Sequence, residues 1–340
     1  MTTLPPSSDD RELWDLWLSI FHLPVVTCAD EIGTFAALSD RPLTTDELAA
    51  ELRVNPRALQ IHLGLLAALG FVERRELRWS ATALTRTWLQ PKADSYYAPA
   101  LRGLLQWVPM HAELLETLRT GAAPKGHQPA LAEWERGESL PGIAPTFTGY
   151  MNANSLGAAL ALARQPMLGS VRALLDVGGG SGIFPIEMAK VWPNLRATVL
   201  EIPPVCVEAN QYIAAGGVSD RVRTQAMNMF TGDWPKGHDA VLLSNVLHDW
   251  PEETCELLAT KAFKALETGG RILVHEMLMD DDGCGPLPVA AFSLMMLLIT
   301  KGRQFSLPDI RTFLERAGFQ RIESWRTGGG YYSVVTGYKP

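Results

Sequence analysis

The sequence has few cysteines, and their spacing predicts neither a zinc site nor a disulfide framework. Of 340 residues only four are cysteine, namely Cys28, Cys206, Cys255 and Cys284, and no two of them form a C-x-x-C pair. Free cysteine is often a small buried residue. We therefore interpret these side chains as buried thiols, and neither a zinc knuckle nor a disulfide-stapled scaffold is indicated.

The chain also lacks an excess of positive charge and a long apolar run. It has 30 lysine and arginine residues against 37 aspartate and glutamate residues, a net charge of −7, which makes nucleic acid an unlikely main partner. The longest apolar stretch, 289–300, is shorter than the roughly 18 to 20 residues that cross a bilayer. Residues 1–10 are acidic and proline-rich, unlike a secretory signal. We expect a cytoplasmic protein with no membrane span.

What is present is enough apolar material for a large core, since 47% of the residues are hydrophobic and 20% are charged. The predicted secondary structure changes along the chain. Helical patterns dominate up to about residue 168, with one short strand-like segment before residue 88, and strands then alternate with helices. We predict a mainly helical domain over 1–95, a helical connector over 96–168 and an α/β domain over 169–340.

The first domain has the order of elements that is typical of a winged helix. Residues 44–52, which open with a threonine cap and two acidic residues, and residues 57–69, which follow the cap Asn55-Pro56, predict two short helices. Segments 71–73 and 79–82 predict a hairpin around the polar residues 74–78. A winged helix suggests DNA binding, with its second helix in the major groove.

The composition of that second helix favours a structural role instead. Leucine and isoleucine surround it almost completely, which predicts burial in a dimer interface or beneath another domain. The side chains suited to bases or phosphates are few: Arg57, Gln60 and His62 on the helix, and Arg74, Arg75 and Arg78 on the wing. A ligand-sensing transcription factor nevertheless stays open as an alternative function.

The α/β domain begins with a strand, a glycine turn and a helix. The strand covers 172–177, the turn is Gly178-Gly179-Gly180-Ser181-Gly182, and an amphipathic helix follows through Val191. Glycine permits positive φ and lets a ligand approach the backbone, while the start of a helix offers free N–H groups. A nucleotide-like ligand is implied.

The spacing of the turn distinguishes between such ligands. A dinucleotide turn starting at Gly178 requires a glycine where Ile183 stands, and a P-loop requires a lysine that this turn lacks. The remaining pattern, Asp176-x-Gly178-x-Gly180-x-Gly182, suits a ligand with no pyrophosphate and with cationic or hydroxyl groups. S-adenosylmethionine has these properties.

The next two strands supply further candidates for that ligand. One strand ends at Glu201, 25 positions after Asp176 (201 − 176), where a carboxylate can accept both ribose hydroxyl protons. The other ends at Asn228-Met229-Phe230, which suits an amide contact with the edge of adenine and an apolar cover over its face.

The fourth strand leads into a candidate base. Residues 240–244 end in Ser244 and are followed by Asn245-Val246-Leu247-His248-Asp249-Trp250, after which a helix starts at 251–253. A neutral histidine can take a proton from a hydroxyl within hydrogen-bond reach. The fifth strand, 271–275, brings Glu276 to the same edge, where it can fix the tautomer of His248. Because the other histidines are scattered, no metal is expected.

Two motifs, 175–182 and 246–250, occur here in an order that resembles the SAM-dependent small-molecule O-methyltransferases of the plant caffeate and bacterial natural-product type. The resemblance covers nearly the whole chain. It implies an α/β fold, namely a Rossmann-like class I methyltransferase domain with a mostly parallel seven-stranded sheet that an antiparallel pair closes near the end of the chain. A mainly α winged-helix dimerisation domain would precede it and form a homodimer.

The resemblance also implies roles for individual residues. Glu201 would bind the ribose, Asn228 and Met229 would lie at adenine with Trp250 near the ring, and His248 would be the base that Glu276 orients. The full set of candidates for the cofactor is Asp176, Gly178, Gly180, Gly182, Glu201, Asn228, Met229, Phe230, Ser244 and Trp250. The catalytic candidates are His248, Glu276 and Asp249.

Two positions depart from the family pattern. Gln304 stands where the family usually has a second glutamate beside the histidine, so an imidazolium would lose one stabilising carboxylate. Asn228 stands where many relatives have aspartate, which should weaken a hydrogen bond by roughly 1 kcal/mol.

The sequence thus predicts methyl transfer to a hydroxyl of a small aromatic or polyketide-like acceptor, with His248 as general base. Carbon or nitrogen methylation, or a SAM-assisted reaction without methyl transfer, stays open because of Gln304. The acceptor pocket is expected from the middle helices and the stretch before Gln304, with core packing as the alternative role of its candidates: Trp107, His111, Phe147, Met151, Phe292 and Met296.

Overall fold

The computed structural model describes residues 9–93, 95–102, 110–138 and 142–340. Up to residue 120 these residues form the following elements: α1 Arg11–Leu18, α2 His22–Glu31, α3 Thr34–Asp40, α4 Thr45–Leu52, α5 Pro56–Ala68, β1 Val72–Arg75, β2 Arg78–Ala81, α6 Ala83–Trp88, α7 Ala98–Arg102 and α8 Met110–Thr120. The later elements are α9 Gln128–Arg136, α10 Ile143–Ala163, β3 Ala173–Val177, α11 Ile183–Val191, β4 Arg196–Glu201, α12 Pro203–Ala215, β5 Val222–Ala226, β6 His238–Ser244, α13 Glu252–Ala265, β7 Leu266–Met277, α14 Leu287–Ile299, α15 Leu307–Ala317, β8 Gln320–Arg326 and β9 Tyr332–Tyr338.

The chain divides into two compact units. The helical unit takes the described residues of 13–128 and 279–306, and the sheet unit takes those of 1–12, 129–278 and 307–340. These boundaries follow packing, and the predicted functional division at residues 95 and 168 stays a prediction. Each unit joins segments that lie far apart in the sequence.

The sheet unit is built on seven strands in the order β5-β4-β3-β6-β7-β9-β8. Strands β3 to β7 pair in parallel, and β9 pairs antiparallel with β7 and β8. The predicted mostly parallel sheet, closed by an antiparallel pair, is confirmed. The next strand along the chain after β3 lies on one side of it and β6 lies on the other, so a ligand crevice is expected at the carboxyl ends around β3.

The two central strands are hydrophobic because both of their faces are covered. All residues of 174–177 in β3 and of 240–244 in β6 are buried. Continuous apolar runs of this kind are typical of parallel strands. Polar residues at the ends of such strands are therefore conspicuous, and these are the residues that the sequence marks as candidates.

In the helical unit, α4 and α5 begin at the predicted caps. Thr44 and Glu47 form a capping box, with Thr44 Oγ1 accepting from the Glu47 N–H at 3.2 Å and Glu47 accepting from the Thr44 N–H at 2.8 Å. Asn55 Oδ1 accepts from the Ala58 N–H at 3.0 Å, and Pro56 is the first residue of α5. These contacts satisfy N–H groups that have no partner inside the helix.

The hairpin is tighter than the sequence predicts. Segment 74–78 was expected to be a loop, but β1 and β2 pair from Val72 with Ala81 to Arg75 with Arg78, which leaves only Glu76 and Leu77 in the turn. Packing explains the difference. The guanidinium of Arg74 lies 5.2 Å from the ring of Trp79, and Arg78 forms an ion pair with Glu47 at 2.9 Å.

Helix α5 is buried inside its own unit, and the side chains suited to DNA are used there. His62 is fully buried, with Nε2 2.9 Å from the carbonyl oxygen of Val25. Arg57 donates to the carbonyls of Lys301 and Gly302, and Gln60 accepts from a threonine hydroxyl of α4. These contacts favour the structural role of α5.

Segment 279–306 follows the last parallel strand in the sequence but packs in the helical unit, with α14 against α5. The approach is close at Gly64, where a Cβ atom would lie 2.5 Å from the carbonyl oxygen of Gly283. A glycine is therefore required at this point of α5.

The thiol prediction holds for three cysteines, since Cys28, Cys206 and Cys255 are buried, but Cys284 is partly exposed. Cys284 belongs to the turn after Asp280, where its backbone N–H donates to the Asp282 carboxylate at 2.9 Å. Among the described residues, no helix combines the length and the hydrophobicity that crossing a membrane requires.

Candidate active site

A cleft opens at the carboxyl ends of β3, β4, β5 and β6, where the strand order places a ligand site. Its empty volume, open solvent at the mouth included, is about 1070 Å³. Strand ends and their loops contribute Gly178, Gly179, Gly180, Ser181, Leu200, Glu201, Ile202, Met227, Asn228, Met229, Phe230, Ser244, Asn245, Val246, Asp249 and Trp250. Helices contribute Trp134, Phe147, Thr148, Met151, Ser155, Ile183, Phe184 and Val205.

The glycine turn requires its glycines for two physical reasons. Gly178, Gly180 and Gly182 have φ values of 67°, 55° and 75°, a region that side chains disfavour. At Gly179 a Cβ atom would lie 2.3 Å from a carboxylate oxygen of Asp176. The backbone therefore stays bare where it lines the cleft. Gly182 instead packs on the sheet, with its Cβ position 3.3 Å from Val199.

Two carboxylates are buried beside this turn. Asp176 lies beneath Gly179, and within the described part of the chain neither of its oxygens has a hydrogen-bond partner. Burial, followed by the charge of Glu201, raises the pKa of Asp176 to about 8. Glu201 accepts from the N–H groups of Ile202 at 2.7 Å and Gly180 at 3.4 Å, but burial still raises its pKa to about 7. Hydroxyl donors or positive charge on a ligand would stabilise both carboxylates.

The cleft is apolar at the end of β5. Met229, Phe230 and Trp250 line it there, and the rings of Phe230 and Trp250 meet edge to face at 4.8 Å. Asn228 also lines it, but its Nδ2 donates to the carbonyl oxygen of Glu135 at 3.1 Å and its Oδ1 accepts from the Phe230 N–H at 2.8 Å. For the expected amide contact with adenine, the other N–H of Nδ2 and the second lone pair of Oδ1 are left.

The predicted dyad is assembled next to the cleft. His248 lies in the turn after β6, and its Nδ1 is 2.7 Å from Oε2 of Glu276. Oε1 of Glu276 accepts from the N–H groups of Val246 and Leu247, both at 3.1 Å. Strand β7 continues through Glu276, because that residue pairs with Ser333 of β9. Sheet and turn thus fix the carboxylate against the imidazole.

The charges around His248 favour its protonated form. Burial alone would lower the pKa of His248, but the charges of Glu276 and Asp249, together with the hydrogen bond to Glu276, raise it to about 9. Oδ1 of Asp249 lies 3.6 Å from Nε2 of His248, and Asp249 itself lines the cleft. Burial raises the pKa of Asp249 to about 6. Nε2 of His248 therefore lies beside a residue of the cleft wall.

Two of the predicted acceptor residues line the cleft from α10, namely Phe147 and Met151. The ring of Phe147 packs against Trp134 of α9, with the ring centroids 4.9 Å apart. Helix α10 is tied to the glycine turn because the Ser181 hydroxyl donates to Oδ1 of Asn152 at 2.9 Å. These contacts give the cleft an aromatic wall.

His111 is held within the helical unit. Its Nδ1 lies 2.8 Å from Oγ1 of Thr27, and its Nε2 lies 2.8 Å from the Glu31 carboxylate. Both ring nitrogens thus have partners between α2 and α8. This arrangement is the packing role that the sequence left as the alternative for His111.

The other acceptor candidates are placed as follows. Phe292 and Met296 are buried on α14 of the helical unit, where Phe292 meets the rings of Trp14 at 5.6 Å and Trp17 at 6.1 Å. Trp107 lies outside the described residues. Gln304 is also in the helical unit, is buried, and donates its N–H to the Ser293 hydroxyl at 3.1 Å.

Part of the cleft wall consists of residues that the sequence motifs do not predict. Ile202, Met227 and Asn245 directly follow or flank strand ends, so the rule that ligands bind at the carboxyl ends of parallel strands could have found them. Trp134, Thr148 and Ser155 come from helices that precede the sheet in the chain. Thr148 and Ser155 lie on α10 with the predicted residues Phe147 and Met151, whereas no local pattern marks Trp134 on α9.

A family model described as an O-methyltransferase domain matches residues 132–320. Over 343 residues the chain is 33% identical to 3-hydroxy-5-methyl-1-naphthoate 3-O-methyltransferase of Streptomyces sahachiroi, which covers 99% of this chain and 97% of that protein. It is 28% identical to L-tyrosine C(3)-methyltransferase of Streptomyces lavendulae, over 88% of this chain and 85% of that protein.

Solved structures give the same picture. An O-methyltransferase family 2 protein from Planctomyces limnophilus, crystallised in complex with apigenin, matches with a TM-score of 0.86 at 27% identity, over 99% of this chain and 98% of that one. Human N-acetylserotonin methyltransferase, crystallised in complex with SAM, matches with a TM-score of 0.61 at 25% identity, over 99% of each chain.

Proposed function

The chain belongs to the O-methyltransferase family, and from that premise we propose that it methylates a phenolic hydroxyl of a small aromatic or polyketide-like natural product, with His248 as general base. It is a SAM-dependent O-methyltransferase of the natural-product type. The acceptor class, the role of His248 as base and the roles of the other residues are part of the proposal.

The residues of the cleft fit S-adenosylmethionine. The carboxylate of Glu201 suits the ribose hydroxyls, and the apolar surfaces of Met229, Phe230 and Trp250 suit adenine. The buried Asp176, whose oxygens have no partner among the described residues, lies beneath the turn, and a cationic or hydroxyl group of the cofactor nearby would stabilise its ionised form. When bound, the cofactor supplies a methyl group that its sulfonium activates. The chain contributes binding, orientation and proton transfer.

The observation that carries the proposal is the geometry of His248. Its Nδ1 is held at 2.7 Å by Glu276, so Nε2 is the nitrogen that can take a proton. The Glu276 carboxylate stabilises the imidazolium that results. Nε2 lies beside Asp249 in the cleft wall, which is where an acceptor hydroxyl has to arrive.

The basicity of His248 favours a phenol over an alcohol. With its pKa raised to about 9, the imidazole is close to an unperturbed phenol, whose pKa is about 10. Proton transfer is most effective when donor and acceptor are nearly matched. The naphthoate and apigenin in the names of two similar proteins are aromatic hydroxyl compounds, in keeping with this acceptor class.

The first experiment measures transfer of labelled methyl from S-adenosylmethionine to a panel of phenols, with the wild type and with His248→Ala. We expect turnover of a phenol by the wild type and a loss of about 10²- to 10⁴-fold in the variant, because the base is gone. Binding of S-adenosylhomocysteine should stay within about threefold, since His248 lies outside the cofactor set.

The matched control is His238→Phe, which removes another buried histidine of the same sheet unit, at the first residue of β6 and therefore at the strand end away from the cleft. Its kcat at saturating cofactor should fall far less than that of His248→Ala. Full turnover in His248→Ala would overturn the role of the base and leave positioning alone to explain catalysis.

Carbon methylation is the second candidate, favoured by the similarity to a tyrosine C-methyltransferase and by Gln304. The two reactions are separated by the product. A ¹³C-labelled methyl group on oxygen and one on an aromatic carbon have well-separated NMR shifts. We expect the oxygen-bound methyl.

We also propose that the first 95 residues form a winged-helix-like dimerisation domain, with 96–168 contributing to the acceptor pocket and 169–340 binding the cofactor. The buried α5 and the internal contacts of Arg57 and His62 count against DNA binding by this helix. The exposed apolar side chains of the helical unit support dimerisation.

A further inference from the structure

A chain of hydrogen bonds leads from the cleft wall into the sheet. Ser244 lines the cleft at the end of β6, and its Oγ lies 3.0 Å from Nδ1 of His275, its register partner on β7. Nε2 of His275 lies 3.3 Å from Oγ1 of Thr327. The Thr327 hydroxyl donates to the backbone carbonyl of Tyr332 at 3.3 Å.

The Tyr332 end of this hydrogen-bond series determines which atom donates and which accepts in each of its bonds. A carbonyl oxygen only accepts, so the hydroxyl proton of Thr327 points to Tyr332, and Oγ1 of Thr327 accepts from His275. Burial lowers the pKa of His275 to about 3, which keeps the ring neutral with a single N–H. That N–H is therefore on Nε2, and Nδ1 accepts the hydroxyl proton of Ser244.

Ring contacts hold His275 in this orientation. Its imidazole stacks on Tyr332 with the centroids 4.9 Å apart and the planes 23° apart. Phe184, a residue of the cleft wall, meets the ring edge to face at 5.4 Å. Packing on two sides fixes the orientation of the ring. The bond to Thr327 therefore determines the tautomer of His275, and the tautomer determines whether Ser244 donates to Nδ1 or accepts from it.

A serine hydroxyl ordinarily donates or accepts. Because the hydroxyl of Ser244 donates to His275, Oγ of Ser244 can only accept a hydrogen bond from a ligand in the cleft. If Nδ1 carried the proton, Ser244 would accept from His275 and would be free to donate to the ligand. The polarity of this position is thus decided by residues that do not line the cleft.

The order of the strand ends indicates which part of the cofactor meets Ser244. The apolar surface for adenine lies at β5, Glu201 for the ribose ends β4, and β6 lies on the far side of β3. The amino-acid part of S-adenosylmethionine therefore extends to β6. That part has an ammonium group, which donates, and a carboxylate, which only accepts.

We propose that His275 is a positioning residue that makes Ser244 an acceptor for the ammonium group of S-adenosylmethionine. The inference rests on the proposed function, because it requires the cofactor to bind along β5, β4, β3 and β6 in that order.

The test compares two ligands by calorimetry on the full-length protein: S-adenosylhomocysteine and its analogue with hydrogen in place of the α-amino group. The wild type should prefer the amine by about 10- to 100-fold, the range for a hydrogen bond to a charged group. Ser244→Ala and His275→Phe should each lose most of that preference. The double variant should lose no more than either one, because the two residues act through one bond.

Thr327→Val removes the acceptor of the Nε2–H without touching the cleft, and it should reduce the preference in the same direction. The matched control is Thr336→Val, which removes another buried threonine hydroxyl. That hydroxyl donates to the Ile272 carbonyl at 3.0 Å and is not part of the hydrogen-bond series that leads to Ser244. It should leave the preference unchanged. Thermal unfolding of every variant checks that each is folded.

Nitrogen NMR of labelled histidine supplies a direct reading of the tautomer, expected as Nε2–H. An Nδ1–H tautomer, or an unchanged preference in Ser244→Ala and His275→Phe, would overturn the inference while leaving the proposed function intact. Equal losses in Thr327→Val and Thr336→Val would also overturn it. Failure of the wild type to bind S-adenosylhomocysteine would instead count against the proposed function itself.

Discussion

At the scale of single residues, the charge of Glu276 determines when His248 can act. An opposite charge 2.7 Å from Nδ1 favours the imidazolium, and His248 has a pKa raised to about 9 in its presence. The base is therefore mostly protonated at neutral pH. Activity that depends on neutral His248 should rise with pH toward that value.

Glu276→Gln should move the acidic limb of the profile of kcat/KM against pH to lower pH by more than one unit. The reason is that burial, which lowers the pKa of His248, is then opposed only by Asp249. The limiting rate should fall by about 10³- to 10⁴-fold, because the glutamine NH2 faces Nδ1, donates to it and leaves the ring proton on Nε2, the nitrogen that has to take the phenol proton. The measurement is kcat/KM between about pH 6 and pH 10, where an unperturbed phenol of pKa about 10 stays largely protonated over most of the range.

Both proteins are assayed with the same phenol, so ionisation of the acceptor affects both profiles equally. The glutamine oxygen can still accept from the N–H groups of Val246 and Leu247, which preserves the turn. Coincident inflections in the two profiles would mean that His248 is not the group whose titration limits the rate.

At the scale of elements, the contact between Asn228 and α9 gives a reason for the departure from aspartate at this position. The side-chain amide donates to the carbonyl of Glu135, one residue after Trp134 in the cleft wall. A carboxylate has no proton to donate there at neutral pH. At Gly137 a Cβ atom would lie 2.8 Å from Asn228, so the end of α9 also packs closely on this side chain.

Asn228→Asp should therefore loosen α9. We expect backbone amides of 128–138 to exchange with deuterium roughly tenfold faster, since a hydrogen-bond donor is replaced by an oxygen that faces a carbonyl. The readout is hydrogen exchange followed by mass spectrometry. Asn152→Asp is the matched control, because Asn152 uses its oxygen as an acceptor from Ser181 and a carboxylate can do the same. Unchanged exchange in 128–138 would show that Asn228 does not hold the helix.

The elements also show what the sequence can and cannot predict. The strand ends, the glycine turn and the pair of His248 and Glu276 follow from local patterns, because parallel strands bring their carboxyl ends to one edge. The contact of Asn228 with α9 joins residues 93 positions apart, and Arg57 reaches Lys301 across 244 positions. Such contacts depend on packing between distant segments, which no local period encodes.

At the scale of the whole molecule, the helical unit exposes an apolar stripe near its beginning. Leu13, Leu16 and Ile20 are spaced three and four residues apart and are 66%, 69% and 53% exposed. Leu13 and Leu16 lie on one face of α1, and Ile20 lies in the 3₁₀ turn 19–21 that directly follows it. Burial against a second copy of the chain would remove the stripe from water, and a two-fold axis would place the same face on both sides.

Leu16→Glu should therefore shift the protein from dimer to monomer at micromolar concentration, as measured by light scattering after size exclusion. Symmetry buries the introduced charge twice, at several kcal/mol for each unpaired ion. The matched control is Leu77→Glu in the hairpin turn, where the leucine is 70% exposed and so loses as little packing within its own chain. The proposed interface predicts a dimer for Leu77→Glu and a monomer for Leu16→Glu. A dimer in both variants would remove α1 from the interface, and a monomeric wild type would refute the homodimer.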